Sequence, residues 1–440
     1  MGFSTALSGL NAASKDLQVT GNNIANANTT GFKESRAEFA DVYASSLGGV
    51  SKTQAGAGVR VTEVAQQFNQ GNIEFTSNTL DLSLNGNGFF TLGADSKAST
   101  PTAYTRNGAF QLDKEGFVVT DQGQHLMGYA PNGDLLSDGF SQGVFEPLKI
   151  DTAQGLPTAT TKAVTTLNLD SRETAPLVTP LDITDPNSYN SMTSLTLFDS
   201  QGNTHIATTY LIKTGGNQWD SYLFLDGKGI TPAPVPAPNT LVGAATVVAT
   251  GNPDPTPIEF DSSGKILFYD VAGKTSKEIG TIDLSQIDPN LIVDDLNFTM
   301  DYFGSTQFSS LFSINDLQQD GLPAGNLTGI SINDNGAVLA NYSNGASKSI
   351  GQVAVARFAN NQGLAKMGNT NWMESASSGA AIYGVAGTNN FGSISSASLE
   401  SSNVDLSAQL VHLIIAQQTY QANAQTITTE KTIMQTILNA

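Results

Sequence analysis

The sequence contains few residues that could perform catalysis or bind a metal. Its three histidines, His125, His205 and His412, are far apart in the chain, and it has no cysteine. Disulfide bonds, thiolate nucleophiles and cysteine-based zinc sites are therefore excluded. Metal ligands do not cluster at a recognised spacing either. We expect no catalytic residue, no metal site and no cofactor, and the sequence argues against an enzyme.

Asp199 and Asp261 each precede a glycine by three residues, which invites comparison with calcium-binding loops. An EF-hand loop needs oxygen ligands at alternate positions and a glutamate at the twelfth position. Counted from Asp261, the twelfth residue is Ala272. A hairpin turn, in which the carboxylate binds local backbone and the glycine supplies a positive φ, is the better interpretation. The same template (an apolar residue, Asp or Asn, two variable residues, Gly) occurs at 112–116, 198–202, 260–264 and 332–336.

The composition narrows the classes of protein and partner. The 440 residues predict two to four domains, and charged residues make up 13% of the chain, against about 25% in a typical protein. A net charge of −19 argues against nucleic acid and anionic membranes as partners. We interpret the adjacent Asp294 and Asp295 as solvated surface rather than a catalytic pair. The longest apolar run, 410–416, is too short to span a bilayer.

Apolar residues follow a heptad spacing from 406 to 438, which predicts one long helix. The positions on this line are Leu406, Leu410, Leu413, Gln417, Tyr420, Ala424, Ile427, Lys431, Met434 and Leu438. At ~1.5 Å per residue the helix is roughly 50 Å long, too long for the core of a compact domain. Glu430 and Lys431 are its only formal charges, and neutral amides on its other face indicate protein contacts on more than one side. The pattern alone also fits a two-helix or dimeric coiled coil.

The N-terminal segment repeats this pattern. Phe3, Leu7, Leu10, Ser14, Leu17, Gly21 and Ile24 step by four and three, which predicts a helix over about 3–24. The Asn- and Gly-rich run 26–31 ends it. Helices at both ends of the chain can pair with each other and still leave faces for neighbours. The residues that we predict to mediate self-assembly are Phe3, Leu7, Leu10, Leu17, Ile24, Leu406, Leu410, Leu413, Tyr420, Ile427, Met434 and Leu438.

Specific motifs lie at both ends of the chain. The N-terminal motifs are ALSGLNAA at 6–13, GNNIAN at 21–26 and TGFK at 30–33, and the C-terminal ones are LESSNVDL at 399–406 and IAQQTYQANA at 415–424. In this order, at opposite ends, they strongly resemble the bacterial flagellar rod and hook family. Because the axial proteins of that family share both signatures, the motifs alone do not identify the member.

Short alternating strands fill the middle of the chain and resemble the two β-domains of that family. We therefore predict an α+β multidomain fold with paired, coiled-coil-like terminal helices and two mainly antiparallel β-domains, the outer one inserted into the inner one. The predicted boundaries are 1–31 and 395–440 for the helical core, 32–71 for a linker, 72–147 and 301–394 for the inner β-domain, and 148–300 for the outer β-domain.

The resemblance implies a structural subunit of the flagellar hook. Such a subunit self-assembles into a curved, flexible tube that acts as a universal joint and transmits torque from rod to filament. The large inserted domain favours a hook subunit over a distal rod subunit, which is the alternative within the family. A secreted β-rich adhesin is the alternative outside it, because the outer domain shows no diagnostic pattern either way.

The same resemblance implies the partners and the location. The chain would bind copies of itself in a helical homopolymer, the distal rod protein, the hook–filament junction protein, the hook cap during assembly and the flagellar type III export apparatus. We expect no nucleic acid and no membrane as a partner. The N-terminus lacks the basic start and apolar core of a signal peptide, so we expect the cell exterior to be reached without a cleaved signal peptide.

Overall fold

Two long helices lie near the ends of the chain, as the heptad spacing predicts. They are α1 (Gly2–Ala25) and α2 (Leu406–Leu438). The Asp405 carboxylate caps α2, because it accepts hydrogen bonds from the backbone N–H groups of Ser407 and Ala408 at 2.8 and 3.2 Å. The computed structural model describes residues 2–42, 56–151, 155–233, 244–248, 251–268 and 276–438. Both helix predictions are confirmed.

The chain divides into two compact units. The first consists of Met1–Thr152, Gly329–Asn341 and Ser347–Ala440, and the second of Ala153–Thr328 and Tyr342–Ala346. The second unit is therefore an insertion within the sequence of the first. Each unit has its own sheets and its own apolar core.

The first unit begins with α1 and ten strands. These are β1 (Ser35–Asp41), β2 (Val59–Gln66), β3 (Ile73–Phe75), β4 (Leu82–Asn85), β5 (Phe89–Gly93), β6 (Ala103–Thr105), β7 (Gln111–Leu112), β8 (Val118–Val119), β9 (His125–Pro131) and β10 (Phe140–Pro147). β1 and β2 form a separate antiparallel hairpin, and α1 packs on it. The Val59 N–H donates a hydrogen bond of 3.2 Å to the Ser8 hydroxyl of α1. The hairpin therefore covers one side of α1.

The second unit consists of two sheets that share one core. Its strands are β11 (Lys162–Asp170), β12 (Ser191–Phe198), β13 (Thr204–Lys213), β14 (Gln218–Leu225), β15 (Lys228–Thr231), β16 (Thr246–Val248), β17 (Thr256–Phe260), β18 (Ile266–Phe268), β19 (Ser276–Ile282), β20 (Leu296–Asp301), β21 (Thr306–Phe308) and β22 (Ser313–Gln319). One sheet has the order β19-β20-β11-β21, with β22 also paired to β11. The other has the order β12-β13-β14-β15-β16, with β17 and β18 attached through β14. Leu167, Leu211, Trp219 and Phe298 are buried between them.

The chain then returns to the first unit with eight further strands. These are β23 (Leu327–Ile332), β24 (Ala337–Tyr342), β25 (Ser347–Arg357), β26 (Ala365–Gly368), β27 (Asn371–Met373), β28 (Ile382–Val385), β29 (Ser393–Ser396) and β30 (Ser398–Glu400). The large sheet has the order β23-β24-β25-β9-β5-β6-β27-β26, while β29 pairs with β4 and β30 with β3. Rings of Phe68, Phe89, Tyr104, Phe358 and Trp372 pack edge-on or tilted in its core. Short 3-10 helices occur at Leu136–Asp138, Pro186–Ser188, Leu284–Gln286 and Asn361–Gly363.

The four copies of the Asp/Asn-x-x-Gly template are all tight turns. Gly116, Gly202, Gly264 and Gly336 have φ values of 87°, 83°, 79° and 81°. In each turn the glycine N–H donates to the backbone carbonyl of the Asp or Asn three residues earlier, at 2.8 to 3.2 Å. The turn interpretation of this template is therefore confirmed.

The strand pairing places residues 301–328 in the second unit, whereas the sequence assigned them to the inner β-domain. β21 and β22 both pair with β11, which needs partners along its two edges. At the other boundary, Leu148 and Ile150 are buried in the first unit, and their N–H groups donate to the carbonyls of Leu126 and Gly116. The second unit therefore starts later and ends later than the predicted 148–300.

Gly264 and Gly227 offer a matched test of the turn geometry. Both have φ near +80°, but a Cβ on Gly264 would lie 2.5 Å from the Gln307 carbonyl oxygen, whereas a Cβ on Gly227 meets nothing within 4 Å. We expect Gly227→Ala to lower the free energy of unfolding by about 1–2 kcal/mol through backbone strain alone, and Gly264→Ala to lower it further.

Denaturant unfolding followed by tryptophan fluorescence measures this difference. The chain has two tryptophans, and Trp219 lies in the second unit, so a Trp372→Phe background isolates the signal of that unit. Equal losses of stability in the two variants would contradict the predicted clash at Gly264.

Candidate self-assembly surface

A buried carboxylate joins the two terminal segments of the chain to the large β-sheet of the first unit. Glu400 lies at the end of β30, six residues before α2, and its side chain is fully buried. One carboxylate oxygen lies 2.5 Å from Lys33 Nζ, and the other lies 3.1 Å from Arg106 Nη1. Lys33 follows the turn after α1, and Arg106 follows β6. We call this group the Glu400 cluster, defined by Lys33, Arg106 and Glu400.

Backbone groups complete the Glu400 cluster. The Gly71 N–H donates to Glu400 Oε1 at 2.9 Å, and Lys33 Nζ donates to the Asn69 carbonyl at 2.8 Å. The guanidinium of Arg106 donates to the carbonyls of Leu84 and Gly86 at 3.2 and 2.6 Å. The segment after α1 and the segment before α2 are therefore held together at the buried carboxylate of Glu400.

Burial dominates the electrostatics of the two cations. Desolvation lowers the pKa of the Lys33 amine below its ordinary value, and the negative charge of Glu400 opposes that shift. Desolvation likewise lowers the pKa of the Arg106 guanidinium, again against the attraction of Glu400. Because the two cations share one carboxylate, removal of that carboxylate leaves two buried charges without a counter-charge.

The two helices pack against each other in antiparallel orientation. Near one end Asn23 of α1 donates to Gln409 of α2, and further along Gly9 approaches Asn423 closely. Gln409 and Ala416 are the buried residues of α2. On α1 the buried residues are Ala6, Ala12, Ala13, Val19, Thr20 and Asn23. The buried side chains of the two helices are therefore mostly small or polar, and α1 is buried by the β1–β2 hairpin as well as by α2.

The predicted assembly residues stay largely outside this contact. Those exposed to solvent are Phe3, Leu7, Leu406, Leu410, Tyr420, Met434 and Leu438. Those that are half-buried are Leu10, Leu17, Ile24, Leu413 and Ile427. Further exposed apolar residues on α2 are Val411, Ile414, Ile415, Ile433 and Ile437. Their role in assembly stays a prediction, but among the residues that the structure describes nothing covers this apolar helix surface.

Sequence reasoning missed the residues that hold the helix pair and its base. It placed Gln409 among the outward-facing amides, whereas this side chain is buried and bonds to Asn23 and Glu34. Lys33 and Glu400 entered it only as parts of the terminal motifs, and Arg106 was given no role. The seven-residue spacing of Gln409, Ala416 and Asn423 was the available signal for the contact face of α2.

The aspartate turns use their carboxylates within the turn. Asp199 accepts from the N–H groups of Gln201 and Asn203 at 2.9 and 2.8 Å, and Asp261 accepts from those of Ser263 and Lys265 at 2.7 and 2.9 Å. Within the described residues, no three His, Asp or Glu side chains come together in a way that could hold a metal ion. The geometry therefore supports turns rather than calcium loops.

One stretch matches the Gly-x-Ser-x-Gly spacing of a hydrolase nucleophile turn, at 139–143. That motif works where a strand turns sharply into a helix and exposes the serine. Here Ser141 lies within β10, which pairs with β9 in antiparallel orientation. Its setting is not that of an activated nucleophile. In the part of the chain that the structure describes, no helix is long and apolar enough to cross a membrane.

Family models match four parts of the chain. They are the flagella basal body rod protein model at 3–33, the flagellar hook protein FlgE/F/G D1 domain at 83–191, the flagellar basal body protein FlaE D2 domain at 168–322, and the flagellar basal body rod FlgEFG protein C-terminal model at 395–440. Terminal helices with an inserted β-domain, together with these matches, define the class of flagellar axial structural proteins.

Full-length relatives identify the branch of that class. The chain is 39% identical to the flagellar hook protein FlgE of Escherichia coli and 36% identical to that of Salmonella typhimurium, over 100% of each chain. It is 30% identical to that of Treponema pallidum, over 99% of this chain and 98% of the relative. The chain belongs to the flagellar hook protein family, and it is a structural protein of the bacterial flagellum, outside the cell.

A solved structure shares the fold. The crystal structure of Helicobacter pylori flagellar hook protein FlgE2 superposes with a TM-score of 0.52 at 15% identity, covering 74% of this chain and 100% of that one. The α+β multidomain prediction is therefore confirmed, and the full-length relatives confirm the family resemblance.

Replacement of the buried carboxylate tests the Glu400 cluster. Glu400→Gln keeps the shape of the side chain but leaves the charges of Lys33 and Arg106 without a counter-charge. We expect the free energy of unfolding of the first unit to fall by about 3–5 kcal/mol. Trp372 fluorescence in a Trp219→Phe background reports on this unit.

The control is Glu115→Gln, because Glu115 is exposed and pairs with exposed Lys114 at 3.8 Å in the same unit. Its loss should change stability by at most about 1 kcal/mol. If both variants lost the same stability, the Glu400 cluster would not be the contact that holds this unit together.

Proposed function

We propose that the chain is the repeating subunit of a curved, flexible tube, the flagellar hook, and that it polymerises through the exposed apolar faces of α1 and α2. The observation that supports this most directly is the apolar surface of α2. Val411, Ile414 and Ile415 are 58%, 54% and 53% exposed although this part of the helix is already paired with α1. A helix pair that keeps such a surface gains stability when further copies cover it.

The amides of α2 fit the same role. Gln417, Gln418 and Gln421 are exposed on a helix that carries two formal charges in its entire length. Neutral amides can line a water-filled channel and can also exchange hydrogen-bond partners when neighbouring helices slide. A wall built in this way bends without breaking ion pairs, which suits a universal joint between rod and filament.

The assembly implies further contacts along the tube. Copies of the chain at its two ends would bind the distal rod protein and the hook–filament junction protein, and growing ends would bind the hook cap. The subunit would reach the growing end through the flagellar type III export apparatus, without a cleaved signal peptide. The exposed helix faces support these contacts, because an unfinished end presents them unpaired.

The expected domain roles follow from this proposal. Residues 1–31 and 395–440 would form the helical wall, and 32–71 would link it to the β-domains. The Glu400 cluster supports this division, since Lys33 lies just after the first helical segment and Glu400 just before the second helix. Electron microscopy of the polymer formed by the purified chain tests the proposal, and curved hollow tubes are the expected result.

A charge placed on the proposed surface should block polymerisation. Leu410 is 45% exposed on α2, so Leu410→Asp leaves the single chain folded. In the polymer the carboxylate would be buried without a partner, and we expect the critical concentration for assembly to rise about tenfold or more. Light scattering and sedimentation of the polymer measure this.

Gln418→Asp is the matched control, because it adds the same charge to an exposed amide position of the same helix. We expect this variant to assemble like the parent chain. Normal tubes from Leu410→Asp, or loss of assembly by both variants alike, would contradict the assignment of the apolar face as the contact.

A further inference from the structure

The contact between α1 and α2 contains a buried amide with three hydrogen bonds. Asn23 of α1 is 2% exposed. Its Nδ2 donates to the Ser35 carbonyl at 2.8 Å, and its Oδ1 accepts from the Ser35 N–H at 2.9 Å. The same Nδ2 also donates to Gln409 Oε1 of α2 at 3.2 Å. Asn23 therefore fixes the start of β1 and contacts the partner helix at once.

Gln409 completes this network from the other helix. Its side chain is buried, and its Nε2 donates to Glu34 Oε1 at 2.8 Å. The Glu34 N–H in turn donates to Asn403 Oδ1, just before α2, at 2.7 Å. One position of α2 along α1 satisfies all of these groups together.

A second close contact obeys the same alignment. A Cβ added to Gly9 would lie 2.6 Å from Asn423 Oδ1, so α1 and α2 approach closely there. Gly9 lies fourteen residues before Asn23, and Asn423 lies fourteen residues after Gln409. In both contacts the two residue numbers add up to 432. The two helices therefore keep one antiparallel register over about four turns.

The apolar residues of α2 do not specify this register. Leu406, Leu413, Tyr420 and Ile427 repeat every seven residues. A shift of α2 by one heptad would therefore put similar side chains in similar places. The same shift would separate Gln409 from both Asn23 and Glu34, whereas Asn23 would keep its two hydrogen bonds to Ser35. The shifted register therefore loses the partners of a buried amide, which is strongly unfavourable.

We propose that Asn23 and Gln409 are the positioning residues that select the register of the terminal helices, as an amide pair within an otherwise degenerate heptad contact. By the same alignment, Gly2 of α1 lies opposite Glu430. Residues 431–438 of α2 then extend beyond the start of α1, and all of them are exposed. The amide pair thus determines which apolar residues each subunit offers to the next copy.

This inference rests on the proposed function only for its consequence in assembly. The register itself is a property of one chain, and cysteine cross-linking measures it directly because the chain has no native cysteine. By the observed alignment, Val19 lies opposite Leu413, whereas Ala12 lies opposite Leu413 only after a shift of one heptad. Two double variants, Val19→Cys with Leu413→Cys and Ala12→Cys with Leu413→Cys, therefore report the native and the shifted register.

The experiment compares the rates of intramolecular disulfide formation in the full-length chain, before polymerisation and in the polymer. With Asn23 and Gln409 present, we expect the native pair to cross-link about tenfold faster than the shifted pair. With Asn23→Leu and Gln409→Leu added, we expect the two rates to approach each other. The control changes, Asn11→Leu with Gln417→Leu, add the same apolar groups at exposed positions and should leave the tenfold preference in place.

The outcomes separate a positioning role from a merely stabilising one. If the amides only stabilised the pair, their removal would slow both cross-links alike and leave the ratio unchanged, which would overturn the proposal. No preference for the native pair in the parent chain would overturn it too. A normal register preference in a chain that fails to polymerise would count against the proposed function while it supports the amide pair.

Discussion

The buried carboxylate of Glu400 is the interaction on which the first unit depends. It lies between two cations that both come from the N-terminal part of the chain, Lys33 and Arg106. Backbone N–H and carbonyl groups satisfy most of the other donors and acceptors, and Arg106 Nε is the buried atom without a hydrogen-bond partner among the described residues of the cluster. Burial of three charged groups is unfavourable unless geometry and hydrogen bonding are both good. The cluster thus selects one arrangement of three parts of the first unit. They are the segment after α1, the large sheet and the segment before α2.

The cluster anchors the segment after α1 and the segment before α2. The helices can therefore keep apolar surface exposed to solvent while the first unit stays folded. Their buried side chains are mainly small or polar, whereas most of the large apolar residues of α2 stay exposed. In a single chain of this kind the β-sheets bury their apolar residues, whereas the helices leave apolar residues exposed to solvent. Because burial of apolar surface is favourable, we propose that contacts between copies supply the stability that the single chain lacks along its helices.

The second unit is built by different means. Two sheets enclose one core around Trp219, and tight Asp-x-x-Gly turns connect strands through backbone hydrogen bonds of their own. The carboxylates that resembled calcium ligands in the sequence, Asp199 and Asp261, accept hydrogen bonds from the backbone of their own turns. A unit with its own core can be inserted into another without disturbing the Glu400 cluster, since none of the three cluster residues belongs to it.

The sequence by itself determined the two helices, the turns and the order of the domains. Heptad spacing and Gly or Asn at turn positions are local signals, because neighbouring residues decide backbone conformation. Only the tertiary structure decided that Lys33 bonds to Glu400, 367 residues away, that Gln409 faces α1, and that residues 301–328 belong to the second unit. These contacts depend on which strands and charges meet although they are distant in sequence. The heptad pattern does not specify the helix register either, because it is the same after a shift of seven residues.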